Sequence, residues 1–255
     1  MKKALAIGGA VLGALLAAAL VIFVFFPGLP TYFKVRHRFE HTDEKVPVFA
    51  TEDIPGDFES HTLRGLRFSA PPDWKEYSSI EGMEPNSYHS DGGDTIFITH
   101  GDYSEDEENY QKAQETLGSG YDMWSGYEYD ESDYRHMFAS LGTELPQSYL
   151  SLRMLWYIRD GFTAKDCIKL RGRDKKVFLE LAQVKDESIR EEDIWKIDGD
   201  GFTAYAGQIT GFGYEGKLWT VNVFPDGDEN AYFMASIKCS DEETAKQMIS
   251  SIELG

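Results

Sequence analysis

Ala231-Tyr232-Phe233-Met234-Ala235-Ser236-Ile237-Lys238-Cys239 runs directly into Ser240-Asp241-Glu242-Glu243-Thr244-Ala245-Lys246-Gln247-Met248-Ile249-Ser250-Ser251-Ile252. In the first stretch Phe233, Ala235, Ile237 and Cys239 fall on one side of a pleated strand, and Ser236 and Lys238 on the other. In the second, Ala245, Met248, Ile249 and Ile252 recur at helical spacing along one face, and Ser240-x-x-Glu243 reads as a capping box. A period of two that gives way to one of 3.6 predicts a half-buried strand and a helix lying back across its sheet.

Working outward, Phe202 to Ile209 and Lys217 to Phe224 are strand-like and joined to the last strand by glycine-rich turns, including Pro225-Asp226-Gly227. The three predict an antiparallel meander. Leu66-Arg67-Phe68-Ser69-Ala70 alternates up to Pro71-Pro72-Asp73-Trp74, and Thr95-Ile96-Phe97-Ile98-Thr99 is a β-branched run between Gly93 and Gly101, which adds two strands. Between these lie expected helices: one opened by Ser104-x-x-Glu107 with Tyr110, Ala113 and Leu117 on one face, one over Pro146 to Asp160, and short ones at Thr163-x-x-Asp166 and Ser188-x-x-Glu191. Val177 to Val184 reads as a strand. Antiparallel strands with intervening helices give an α+β class rather than a doubly wound sheet, in one domain over 61–255.

The N-terminus has another character. Ala4 to Phe26 is free of charge and contains thirteen Leu, Ile, Val and Phe residues. As a helix at 1.5 Å per residue it would span about 34 Å, enough for a hydrocarbon core of about 30 Å. The small-residue stretch Ala17-Ala18-Ala19 is followed by further apolar residues through Phe26, which favours an uncleaved anchor over 1–30 above a cleaved signal peptide. Pro27-Gly28-Leu29-Pro30 ends the helix, and 31–60 reads as a juxtamembrane stalk broken at Pro47 and Pro55-Gly56. Lys2 and Lys3 on one side are matched by Lys34, Arg36 and Arg38 on the other, so the positive-inside rule is silent. The short N-terminal flank and a resemblance to bacterial signal anchors imply that the body lies outside the cytoplasm.

The 255 residues carry 25 Lys and Arg against 44 Asp and Glu, a formal charge of −19. A body this acidic repels phosphate backbones and anionic lipid headgroups, which argues against nucleic acid. Two cysteines, Cys167 and Cys239, exclude a disulfide-dense scaffold or a four-cysteine zinc site, and leave either one disulfide or two buried thiols.

The opening strand that ends in Ser69-Ala70-Pro71-Pro72-Asp73-Trp74, and the closing strand and helix quoted above, resemble the PsbP-like fold of small exported and lipoprotein domains, over about 60–100 and 200–254. The resemblance implies an accessory or binding role and carries over no catalytic residue.

Chemistry-bearing patterns are sparse. Gly-x-Ser-x-Gly, His-Glu-x-x-His and P-loop signatures do not occur, Gly211-x-Gly213-x-x-Gly216 leads into a strand and not into the helix that a dinucleotide-binding turn opens, and the six histidines are scattered without ligand spacing. Asp91-Gly92-Gly93-Asp94, Asp198-Gly199-Asp200-Gly201 and Asp226-Gly227-Asp228 offer oxygen ligands, but Asp and Gly are also what turns demand. No catalytic, metal or cofactor residue is therefore assigned. More distinctive is Tyr121 to Tyr134, where Tyr121, Trp124, Tyr127, Tyr129 and Tyr134 alternate with carboxylates, a pattern suited to a basic protein or a cell-envelope ligand, or else to an acidic surface loop whose aromatics fold back onto the core. The first four are the candidate partner-binding residues. The expectation is a membrane-anchored, extracytoplasmic binding or accessory protein without catalysis. The alternatives are an envelope hydrolase using carboxylates and a structural subunit of a membrane complex.

Overall fold

The computed structural model describes residues 2–78, 85–105, 108, 112, 129, 131–144, 160–191, 193–209 and 217–255. The chain divides into two compact units, one formed by 1–45, 123–145 and 155–190, the other by 46–122, 146–154 and 191–255. All described strands lie in the second, so the class is α+β with antiparallel sheets packed against helices.

The β unit is organised around the meander. Strands β7 (Phe202–Ile209), β8 (Lys217–Pro225) and β9 (Ala231–Cys239) pair antiparallel, and β5 (Thr95–Asp102) joins on the far side of β9. β3 (Lys75–Tyr77), β4 (Ser87–His89) and β6 (Asp193–Gly199) extend it to seven strands in the order β3-β4-β5-β9-β8-β7-β6. A smaller sheet sets β2 (Leu66–Ala70) between β1 (Glu59–Leu63) and β10 (Glu253–Leu254). The register aligns Ile98 with Ala235, Ala235 with Val221 and Val221 with Ala206, an apolar row across four strands in which every member is buried.

Phe233, Ala235, Ile237 and Cys239 are the buried set of β9, as the alternation predicts. The closing helix, Glu242–Ser250, buries Ala245, Met248 and Ile249 in the same core as β2, β8 and β9. Its N-cap is Asp241, one residue later than the expected Ser240: the Asp241 carboxylate accepts from the Thr244 amide at 2.9 Å. Ser240 is engaged elsewhere, its amide and hydroxyl both donating to Asp94. At the sheet's end, β6 is bordered by a passing segment: Phe49 N donates to Lys196 O at 2.8 Å, and Lys196 N donates to Pro47 O at 2.7 Å.

The helical unit contains α1 (Lys2–Phe25), α2 (Leu29–Arg38), a 3-10 turn (Glu40–Asp43), α3 (Glu131–Leu141), a 3-10 helix (Ala164–Lys169) and α4 (Asp174–Glu191). The Thr163-x-x-Asp166 expectation is met as a reciprocal capping box that opens Ala164–Lys169. Val177–Val184 is a correction, since it lies inside α4 and is helix, not strand. Val177 with Phe178, Leu181 with Ala182, and Lys185 with Asp186 are buried, a four-residue repeat that only a helix turns to one side. The Ser188-x-x-Glu191 helix is the end of this same element. The helix expected over Pro146 to Asp160 lies almost wholly outside the described residues, and so does most of the one opened by Ser104-x-x-Glu107.

Residues 31–60, read as a stalk, hold most of α2 and the Glu40–Asp43 turn, with Val35 and Thr42 buried. Among the described residues no single helix is long and apolar enough to cross a membrane, while Gly13–Phe25 and Leu29–Arg38 reach that length together as a pair bent by 77°. Cys167 and Cys239 are free, buried thiols, and burial pushes them up to about 12 and about 11.

Candidate functional site

Charge is divided unevenly between the units. The helical unit has sixteen Lys and Arg against fourteen Asp and Glu, or +2, and the β unit has nine against thirty, or −21. Together they restore the total of −19. An acidic chain thus contains a unit whose charge is weakly positive.

Within that unit the cations gather along α2 and along the segment that leads from the 3-10 helix into α4. Lys34, Arg36 and Arg38 are exposed on α2, and Lys169, Arg171, Arg173 and Lys176 are exposed on the second segment. The two are joined at Gly28, whose amide donates to Ile168 O at 2.8 Å. A Cβ at Gly28 would stand 1.7 Å from Cys167 O, so only glycine permits this approach. Arg171 Nη2 donates to Val24 O at 3.0 Å, satisfying one of the carbonyls left open in the last turn of α1. Arg36 is paired with Asp43, whose carboxylate also accepts from the Ala164 amide at 2.8 Å. Burial opposes charge on Asp43, but the amide and the guanidinium outweigh it and hold the carboxyl below its usual range.

Arg173 and Lys176, with Gly172 and Tyr129, line an open pocket of about 630 Å³. The Arg173 guanidinium lies 5.6 Å from the centre of the Tyr129 ring and meets Asp133 at 2.5 Å. Tyr129 is the one candidate partner-binding residue inside the described set; Tyr121, Trp124 and Tyr127 lie outside it. The surroundings of Tyr129 differ in sign from the sequence reading. Its carboxylate neighbours in the chain suggested a site for cations, yet its face already carries a guanidinium, itself paired with Asp133, and its pocket adds the ammonium of Lys176.

Below the pocket a polar group ties α3 to α4. The buried Asp174 carboxylate accepts from Ser140 Oγ at 2.8 Å and lies 2.8 Å from His136 Nδ1. Serine, histidine and aspartate meet here without forming a nucleophilic triad, because the hydroxyl donates to the carboxylate and not to the imidazole, so the histidine is not placed to take its proton. Deeper in the unit, Lys185 is fully buried and donates from Nζ to Phe162 O at 2.7 Å, 5.2 Å above the Phe162 ring.

In the β unit the Asp/Gly turns are used by the backbone. Asp94 holds Ser240, and Asp228 accepts from the amides of Asn230 and Ala231. Among the described residues no three His, Cys, Asp or Glu side chains gather closely enough to hold a metal ion.

No protein-family model matches the chain, and no curated protein matches it.

The cationic segment 169–176 is the feature that sequence reading missed. Five of its eight residues are Lys or Arg, a signal visible in the sequence but averaged away when the charge of the whole body is summed.

Proposed function

We propose that the protein is a single-pass membrane protein whose extracytoplasmic body binds a basic partner at the cell envelope as an accessory component, without catalysis. The division of charge carries this reading. A unit of −21 attracts cationic partners over about a Debye length, roughly 8 Å at physiological salt, and repels anionic ones.

The anchor is supported by Ala4 to Phe26 and by the side chains of its second half. Leu15, Leu16, Leu20, Val21, Ile22, Phe23, Val24, Phe25 and Phe26 are all exposed, a contiguous apolar surface far larger than water-facing helices carry. An accessory role of the PsbP-like kind accords with a sheet-centred unit closed by a C-terminal helix. Against a carboxylate hydrolase stands the direction of the displaced carboxyls. Among the described residues the displaced carboxyls are Asp102, hydrogen-bonded by Ser104, Asp241, hydrogen-bonded by Thr244, and Asp43, and all three are held low, whereas a general acid must be raised. Tyr129 already gives its face to Arg173, which leaves as the aromatics offered to a partner Tyr121, in the β unit, and Trp124 and Tyr127, which fall in the helical unit and draw on the neighbouring carboxylates Asp122, Glu128 and Asp130 in the chain.

Two measurements test the reading. Protease added to intact cells should remove the body and leave the anchor; a body cleaved only after lysis would reverse the orientation. The full chain in lipid nanodiscs should bind poly-L-lysine with an affinity that falls as salt rises, and Trp124→Ala with Tyr127→Ala should weaken it at least tenfold. Binding indifferent to salt would refute the charge argument.

A further inference from the structure

We infer that the cationic face of the helical unit, carried by Lys34 on α2 and by Lys169, Arg171, Arg173 and Lys176 on the segment entering α4, docks on anionic phospholipid headgroups in the leaflet where α1 ends. The inference rests on the reading of α1 as a membrane span and adds to it a lipid preference.

Position comes first. Arg171 is bonded to Val24 O, in the last turn of α1, and Gly28 is bonded to Ile168 O. These bonds hold the segment from Lys169 to Lys176 at the end of the apolar helix, where a spanning α1 meets the headgroup layer. Arg173 is two residues from Arg171, so it stays within about 7 Å of that level.

Geometry adds α2. It leaves α1 at 77°, so with α1 across the bilayer α2 runs nearly along the surface. Its composition suits that plane. Val35 is buried against protein, Phe33 is 62% exposed, and Lys34, Arg36 and Arg38 point cations outward beside it. Aromatic rings next to long basic side chains are what interfacial helices place at headgroup depth.

Chemistry identifies the headgroup. The side chains of Lys34, Lys169 and Lys176 have no hydrogen bond or ion pair to the described residues, so their charge is open to an external anion. Lys176 lines the pocket of about 630 Å³, room for a phosphate and part of its headgroup, beside Arg173, whose guanidinium is already paired with Asp133, so the ammonium is the open charge that meets a phosphate there. A zwitterionic headgroup brings a compensating cation; an anionic one does not. Each Lys or Arg near an anionic surface strengthens local binding roughly fivefold.

The test uses the full chain in nanodiscs, either of phosphatidylcholine alone or with about a third of it replaced by phosphatidylglycerol, and reads amide hydrogen exchange over 165–176. Exchange there should slow several-fold in the anionic discs and return toward the phosphatidylcholine rate at high salt. The triple variant Lys34→Gln, Lys169→Gln, Lys176→Gln should lose that difference, while exchange over 242–250 in the β unit stays as in the parent chain and reports an intact fold. Equal exchange in both kinds of disc would overturn the inference and leave the anchor untouched. A chain that elutes free of lipid would overturn the anchor, and the inference with it. Equal slowing in phosphatidylcholine discs on adding inorganic phosphate would assign the cations to a soluble anion and refute docking on lipid.

Discussion

Lys185→Met should alter how the stability of the helical unit depends on pH. Lys185 is fully buried on α4, and burial brings its amine down from 10.5 to about 8, with Asp160, Asp43 and Asp166 pulling the other way. At neutral pH the amine is protonated in both the folded and the unfolded chain. Between about 8 and 10.5 the unfolded chain holds a proton that the folded chain has released, so stability rises with pH at about 1.4 kcal/mol per unit. From about pH 7 to about pH 9.5 this group should therefore add about 2 kcal/mol to the parent chain and nothing to the methionine variant. At neutral pH the variant should be less stable than the parent, because methionine leaves the Phe162 carbonyl without its donor. Urea unfolding of the full chain in detergent, followed by helical circular dichroism at both pH values, measures the difference directly. Because other groups titrate alike in both chains, the gap between parent and variant isolates Lys185. A gap that stays constant across that range would show that the amine keeps its ordinary acidity and that the site is wetter than its burial implies.

Ile249→Ala removes a buried aliphatic side chain from the closing helix and should cost about 2–5 kcal/mol, lowering the melting temperature of the β unit by several degrees. An unchanged melting curve would place that helix outside the core. Gly28→Ala puts a methyl group against the Cys167 carbonyl and should destabilise the join between α1 and the Ala164–Lys169 helix by at least about 2 kcal/mol. Limited proteolysis should then cut near residue 28 faster than in the parent; equal rates would mean that the two backbones do not approach so closely.

The parts of the fold legible in sequence are those where local pattern and burial agree. β9 alternates because one side faces the core, and Glu242–Ser250 repeats at helical spacing for the same reason. Val177–Val184 misleads because its eight residues contain pairs of adjacent apolar side chains, which a short window reads as a buried strand. The repeat is clear only when Lys185 and Asp186, a lysine and an aspartate, count as buried positions. β1 and β6 mix charged and apolar residues because each is an outermost strand of its sheet with one partner. The cationic face escaped for a different reason. Four of its five cations sit within 169–176, a run hidden when the charge of the whole acidic body is summed, and Lys34 joins them only because the helical unit is assembled from three separate stretches of chain. The aromatic segment was easier to see than to interpret, since carboxylates beside Tyr129 in sequence say nothing of Arg173, which reaches it through the fold.

The segment Pro47–Phe49 that borders β6 has a consequence for crowding. Molecules tethered to one bilayer meet in two dimensions, at effective concentrations that turn weak edge-to-edge pairing into assembly. A seven-stranded sheet offers two such edges. Here the Lys196 amide and carbonyl, which point away from the sheet at one edge, are already taken by Pro47 and Phe49, and the other edge is the three-residue β3 with every side chain exposed. Short and occupied margins are how sheets resist templating their own copies, so on a body anchored as proposed the three-residue β3 and the stretch of β6 covered at Lys196 give a neighbouring copy little to pair with in this sheet.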